Sequence, residues 1–447
     1  MTQAVKDAWS GRAGFILAAV ASAVGLGSIW KFPYEVGANG GAAFVLFYVL
    51  GLALAVVPLM LAEFAMGRRG GGDAAASLAA LAAAHGARRG WAWVGVLGVL
   101  TGALILSFYS VIGGWTLAYL VETLREGLPG DAPGAVQARY DALLASPARM
   151  AGYHALFLAA TAAVVARGVS GGIEAASKVL MPALVLLLAA LALYSSAQGD
   201  LRATLLFLFH PDLSDFTARA ALEALGLGFF SIGVGMGLMI TYAAYAKASI
   251  RLGQAALAAV IADTAISLLA GFAIFPLVFA HGLDPASGPG LVFVTLPLAF
   301  ARLPLGAVAA AAFYLLLFVA ALASAISMLE LAVAPAVRRG WRRGRAAAAL
   351  AGACFVAGLA SVFSFNLLAR WRPTPFAAID HLTSNVMLPL GGLALALFAG
   401  WVLPAEVLAQ ELGLGRRGAA ALRFALRWVT PALICSVAIG PFALRPA

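Results

Sequence analysis

Two glycine-rich stretches interrupt otherwise apolar runs: Ala21-Ser22-Ala23-Val24-Gly25-Leu26-Gly27-Ser28 and Phe230-Ser231-Ile232-Gly233-Val234-Gly235-Met236-Gly237. Glycine inside a helix costs about 1 kcal/mol relative to alanine, so such clusters favour unwinding. Unwound backbone at membrane depth persists only where protein or a watery cavity satisfies it. There it has chemistry to offer: half-helix N-termini present N–H groups to an anion, and freed carbonyls accept a cation. A zwitterionic amino acid carries one group for each. Close packing of helices through small residues is the other use of such spacing, and Gly233 and Gly237 fit it. A third signal is Asp263, a carboxylate inside an apolar run, where insertion costs about 2.5–3.5 kcal/mol unless a cation or hydrogen bonds compensate. The histidines (His85, His154, His210, His281 and His381) are scattered without a metal-binding spacing, and Cys354 and Cys435 form no CxxC.

The elements that must position these groups follow from composition. Of 447 residues, 63% are hydrophobic and 11% charged, against about 45–50% and about 25% in soluble domains. That excludes a soluble enzyme and a disordered chain. A membrane-spanning helix needs about 17–25 apolar residues, and eleven runs qualify: 12–36, 41–67, 90–124, 151–167, 176–197, 217–246, 252–281, 304–336, 346–365, 376–403 and 421–441. The runs are continuous, not alternating, which excludes a β-barrel. With the N-terminus inside, most basic residues, Arg68, Arg69, Arg88, Arg89, Arg338, Arg339, Arg342 and Arg343 among them, fall on the cytoplasmic side. The net charge of +10 therefore reads as topology, not nucleic-acid binding. The C-terminus is then expected outside. Of the long external segments (125–150, 198–216 and 282–303), the last is partly apolar and is expected to pack inward as a lid.

The glycine clusters fall in spans 1 and 6, the first members of two successive five-span sets, which is the layout of an inverted repeat with broken helices. The runs that surround them, Trp9-Ser-Gly-Arg12, Ala23-Val-Gly-Leu-Gly-Ser-Ile-Trp-Lys-Phe-Pro33-Tyr34 and Asn39-Gly-Gly41, resemble the neurotransmitter:sodium symporters. So do Glu63-Phe-Ala-Met-Gly-Arg68, the stretch from Ser231 to Tyr245, Thr383-Ser-Asn385 and Leu388-Pro-Leu-Gly-Gly392. The resemblance covers nearly the whole chain in order. It implies an all-α integral membrane protein of the LeuT-type fold, one transporter domain over 1–447. Its inverted repeats would be 12–197 (helices 1–5) and 217–403 (helices 6–10), with 421–441 as helix 11. It also implies sodium-coupled amino acid symport by alternating access in a bacterial inner membrane. The implied partners are a small amino acid and membrane lipid, with no nucleic acid and no signal for an oligomeric state.

Carried onto this sequence, the resemblance implies a substrate carboxylate held by backbone N–H groups at Ala23, Leu26 and Gly27 and by the hydroxyl of Tyr109. The side-chain pocket would be lined by Ile105, Phe230, Ile232, Met236, Ala325 and Met328, with Gly233 leaving volume and Ser231 beside it. With no fixed charge there, hydrophobic amino acids are favoured, bulky and aromatic ones included. A first sodium site would use Ala23, Ser28, Ser231 and Asp263, all oxygen donors suited to a hard cation. Asp263 would also supply the negative charge that chloride supplies in some relatives, so no chloride requirement is expected. A second sodium site would use Ala21, Val24, Ala320 and Ser324, but Ala323 lacks the side-chain oxygen usual in the family, which weakens it.

The implied outer gate is Lys31 with Asp380. On the inner side Lys6 replaces the usual arginine, and its acidic partner is missing, so Trp9, Tyr245 and Glu330 are candidates for a substitute contact. Glu63 matches a position that braces the broken part of helix 6. Ser28 and Ala323 keep open a proton-coupled or ion-uncoupled carrier, and a non-transporting amino acid sensor is the reading from another class.

Overall fold

A computed structural model of the chain describes residues 8–443 except Asp131, Asp215 and 287–289. Lys6 lies outside the described residues. Among those described, regular structure is helical throughout. Nine helices among the described residues are long and apolar enough to cross a membrane: Ala42–Gly70, Arg89–Glu126, Pro147–Val165, Val169–Gln198, Leu252–Ala280, Gly306–Arg338, Arg343–Phe363, Pro375–Val402 and Arg416–Ile439. Arg12–Ala23 and Gly27–Ala38 form a tenth span, bent by 49° at its break. The eleventh is the sixth in order, divided into Ala218–Ile232 and Leu238–Ala244. Every expected run thus has a counterpart, and the two broken ones are spans 1 and 6. Several begin earlier than expected, and in span 4 a cap fixes the start. Span 4 opens at Pro147 after Ser146, whose hydroxyl accepts the N–H of Arg149.

Proline shapes several spans. Wide π-type turns occupy Gly27–Lys31, Leu52–Val56, Leu382–Met387 and Ala425–Val429, each just ahead of a proline: Pro33, Pro58, Pro389 and Pro431. A proline has no N–H to donate and its ring clashes with the carbonyl a turn earlier, so the preceding turn widens.

Span 8 packs along span 3, span 7 along span 5, and the inner half of span 6 along span 2, while spans 3, 4 and 9 form a cluster beside them. The broken spans sit between these groups; the first half of span 1 touches both span 7 and span 8. Leucine and valine side chains such as Leu186, Leu193 and Val356 remain exposed on the perimeter, as a lipid-facing surface requires. The apolar segment Leu291–Ala301 packs inward: Phe293 is buried against Trp115 and Tyr119 and stacks on Tyr140. Burial of Tyr140, on the short helix Pro133–Leu144, pushes its phenol up to about 12, so it stays neutral.

Candidate functional site

The break in span 6 is built by glycine. Gly233, Gly235 and Gly237 have φ of 72°, 97° and 74°, the left-handed region that side chains with a Cβ rarely adopt. The N–H groups that the break frees need partners. Glu63 of span 2, fully buried, supplies them: Oε1 accepts the N–H of Gly235 at 2.7 Å and Oε2 that of Met239 at 3.2 Å. Glu63 thus ties the break itself to the helical half that follows it.

The break in span 1 runs over Val24–Leu26. The N–H of Leu26 donates to the Tyr109 hydroxyl at 3.0 Å. A Cβ at Gly25 would stand 2.7 Å from that hydroxyl and 3.0 Å from Ser324 Cβ, so only glycine lets spans 3 and 8 approach here. Just beyond the break, Ser28 and Ser231 both donate to Asp263 Oδ1, at 2.5 and 3.0 Å, and lie 3.1 Å from each other. The other oxygen, Oδ2, accepts from Tyr48 at 2.7 Å. Sequence reasoning missed Tyr48, because a tyrosine in an apolar run carries no signal of its distant partner. The cluster is buried and gathers only oxygens, which fits a small hard cation. Among the described residues no three His, Cys, Asp or Glu side chains gather as a transition-metal site.

Between the two breaks lies a cavity of about 30 Å³, room for about one water. Tyr109, Ile105, Phe230, Ser231, Met236 and Met328 stand on its wall, with Gly27 and Gly233. Met236 takes up the space that Gly233 leaves: its Cε lies 3.1 Å from where a Cβ on Gly233 would sit. Ile232 and Ala325, expected on this wall, are fully buried in the core instead. Ser22 and Ser324 complete the wall on the opposite side. Ser324 Oγ donates to the Ser22 carbonyl at 3.5 Å, while Ala21, Val24 and Ala320 are buried around it and Ala323 presents only a methyl.

A vestibule of about 280 Å³ lies on the far side of Tyr109 and Phe230, which line both spaces and so form the partition. Its walls are aromatic, with Trp30, Trp115, Phe365 and Phe376. Lys31 and Asp380 face it without an ion pair between them: the ammonium rests 4.5 Å above the Phe230 ring, and Asp380 Oδ1 accepts from Ser384 at 2.9 Å.

The opposite side is closed. Trp9 is buried, its indole N–H donating to the Tyr242 carbonyl at 2.9 Å and its backbone N–H to that of Tyr245 at 3.3 Å. Ser10 donates its backbone N–H to Glu174 at 2.8 Å and its hydroxyl to the same carboxylate. The Tyr245 hydroxyl donates to Glu330 at 3.0 Å, and Arg343 pairs with Glu330 at 2.7 Å. Trp9, Tyr245 and Glu330 were singled out in the sequence; Glu174 and Arg343 were not, since their partners are remote in sequence.

The comparisons with known proteins agree with this geometry. The family model described as "Sodium:neurotransmitter symporter family" matches residues 6–139 and 147–443. An uncharacterized sodium-dependent transporter of Bacillus subtilis is 37% identical over 441 residues, 96% of this chain and 96% of its own. The sodium-dependent dopamine transporter of Bos taurus is 28% identical over 73% of this chain and 53% of its own. Among solved structures, MhsT in complex with L-phenylalanine superposes with a TM-score of 0.89 at 42% identity, covering 96% of this chain and 98% of that one.

Proposed function

The chain belongs to the Sodium:neurotransmitter symporter family, and on that premise we propose that it drives uptake of hydrophobic L-amino acids, bulky and aromatic ones included, with sodium by alternating access. The observation that carries this reading is the central cavity between two helix breaks, with N–H donors on one side and the oxygen cluster at Asp263 on the other. A substrate carboxylate would enter between the Leu26 N–H and the Tyr109 hydroxyl, taking a bond from each, with the Ala23 and Gly27 backbone beside it. A sodium ion carried with it would bind Ser28, Ser231, Asp263 and the Ala23 carbonyl. The wall of Met236, Met328, Ile105 and Phe230 has no charge, which suits an apolar side chain, and for one to enter a space of about 30 Å³ the adaptable methionines must swing aside. The phenylalanine bound by MhsT supports an aromatic substrate. Asp263 makes chloride unnecessary.

We place the chain in a bacterial inner membrane with its N-terminus in the cytoplasm and its C-terminus outside, built of repeats 12–197 and 217–403 whose broken first spans, 1 and 6, move against the rest. Lys31 and Asp380 would close above the substrate. Tyr245, Trp9 and Glu330 hold the cytoplasmic side shut. The methyl of Ala323 beside Ser324 favours a second reading, in which the second sodium site is weak and protons contribute to coupling.

The test is uptake of labelled leucine, phenylalanine and tryptophan into proteoliposomes under imposed sodium, lithium, potassium or pH gradients. Accumulation that follows the sodium gradient is expected. Accumulation that follows pH alone would move the reading to a proton-coupled carrier, and binding without uptake would make the protein a sensor.

A further inference from the structure

Two arginines of span 11 meet at the end of span 10. Gly400 lies in the last turn of span 10, and the residue four positions on is Pro404, which has no N–H. The Gly400 carbonyl is therefore left without a donor from its own helix. Span 11 supplies two: Arg423 Nε donates to that oxygen at 3.1 Å and Arg427 Nε at 2.6 Å. Glycine makes the meeting possible, since a Cβ at Gly400 would stand 3.0 Å from Arg427 Cγ. Each guanidinium engages a protein acceptor through Nε alone; among the described residues its terminal NH2 groups have neither an acceptor nor a carboxylate within 4 Å. Glu406, at the start of the neighbouring helix Ala405–Leu412, is exposed and pairs with neither. The Arg427 guanidinium is laid flat by the Trp401 ring, 4.8 Å away, and Trp428 meets Trp401 edge-on at 5.4 Å. Both indoles are at least half exposed. Exposed Arg416 lies two helical turns before Arg423, on the same face.

Two like charges one turn apart that share a single neutral acceptor repel each other. A tetrahedral anion relieves that repulsion, because its several oxygens can take both uncommitted guanidinium forks at once. Exposed indoles beside a basic pair at the ends of two spans mark the level of lipid headgroups. We propose that Arg423 and Arg427 form a binding site for the phosphate of an anionic membrane phospholipid, with Trp401 and Trp428 flanking its glycerol. Free inorganic phosphate shares the headgroup's chemistry, but it would leave the two exposed indoles without an apolar neighbour. A lipid held here ties the end of span 10 and the start of span 11 to one leaflet, the cytoplasmic one in the orientation given above. The inference goes beyond the transport reading and does not depend on which solute is carried.

The test titrates the delipidated full chain with phosphatidylglycerol and with phosphatidylcholine and follows the first bound lipid by native mass spectrometry. A basic residue near an anionic headgroup is worth about fivefold in binding, so two partly exposed ones should favour phosphatidylglycerol by about tenfold or more. Arg423→Gln combined with Arg427→Gln should lose most of that preference. Arg339→Gln combined with Arg342→Gln, an exposed basic pair elsewhere on the same side, should keep it. If the first double variant fails to fold, Arg423→Lys with Arg427→Lys keeps both charges but not the planar forks, and should still lower the preference measurably. Inorganic phosphate in excess should not displace the lipid. An equal affinity for the two lipids would mean that the arginines only cap span 10. A preference that survives the substitutions at Arg423 and Arg427, one that falls equally in the control pair, or displacement by inorganic phosphate would likewise overturn the proposal.

Discussion

Replacing Asp263 by asparagine separates the binding of a cation from the integrity of the fold. In the native cluster Ser28 and Ser231 donate to Oδ1 and Tyr48 to Oδ2. Hydroxyls rotate and can accept as well as donate. The new amide oxygen keeps both serines, while its NH2 faces the Tyr48 oxygen, whose hydrogen can turn to Ser267, a buried hydroxyl with no partner of its own among the described residues. The charge-assisted bonds become neutral ones, at a cost of about 1 kcal/mol, offset in part because a neutral amide is easier to bury. The midpoint of thermal unfolding should therefore move by only a few degrees, on the order of 2–4 °C. The effect on sodium should be far larger. A cation taken by both serines would lie about 4 Å or less from the carboxylate, where the attraction at an effective dielectric of about 20 is about 4 kcal/mol. Allowing for the ligands that remain, roughly 1.4–4 kcal/mol is lost, or about 10- to 1,000-fold in sodium affinity. The assay is a sodium titration of labelled phenylalanine binding to purified protein in gluconate. Chloride should restore part of the loss, by returning a negative charge to the site. Unchanged half-saturation by sodium in folded Asp263→Asn protein, without chloride, would refute the assignment of the cation to this cluster.

Met236→Phe puts a larger, stiffer wall beside Gly233; overpacking costs about 1–3 kcal/mol, so tryptophan should lose affinity more than leucine in competition binding. Equal losses would show that Met236 does not face the substrate side chain. Ala323→Thr should return a hydroxyl beside Ser324 and shift coupling toward two sodium ions, measured as the reversal potential of uptake; an unmodified protein that already couples two ions with no proton term would sink this expectation. Glu63→Gln leaves either the Gly235 or the Met239 N–H facing an NH2 group, and losing a bond to a charged acceptor costs about 1.5–3 kcal/mol. Its unfolding midpoint and its phenylalanine affinity should both fall, and no change in either would mean that Glu63 does not brace the break.

What was legible in the sequence was legible because it was local. Three glycines in five residues predict backbone that cannot stay helical, and the left-handed Gly233, Gly235 and Gly237 sit where the pattern put them. Asp263 was conspicuous because a lone acid in an apolar run needs a partner, and Ser28 and Ser231 meet it. Tyr48, Glu174 and Arg343 escaped notice for the converse reason. A tyrosine among apolar residues, an acid at the start of a span and an arginine in a basic stretch are each ordinary, and only tertiary packing brings them to Asp263, Ser10 and Glu330. The cavity wall was half legible: Met236 and Met328 line it, whereas the neighbours Ile232 and Ala325 belong to the core, and spacing along the chain alone does not separate the two groups.

The closed side shows how such a molecule opens without stranding charge. Glu330 is completely buried, and a carboxylate left there without its cation would cost about 3–5 kcal/mol. Its cation is Arg343, and the two sit on spans 8 and 9, which pack against each other. The bond that ties Glu330 to the moving span 6 is a different one, from the neutral Tyr245 hydroxyl. Glu174 repeats the arrangement: Lys178, one turn along the same helix, neutralises it at 2.6 Å, and what it gives to span 1 is acceptance of the neutral Ser10 groups. What Glu330 and Glu174 accept from the broken spans thus comes from neutral donors, while each carboxylate keeps a cation of its own. Swinging the inner half of span 1 or span 6 away exchanges a few neutral hydrogen bonds for bonds to water, each worth about 0.5–1.5 kcal/mol, while both ion pairs travel intact. On the outer side Lys31 and Asp380 stand apart, each resting on a neutral neighbour, Phe230 and Ser384. Their pairing is therefore free to form when a substrate fills the space beneath. On the alternating-access reading proposed above, a bound amino acid and a cation would then decide which closure holds.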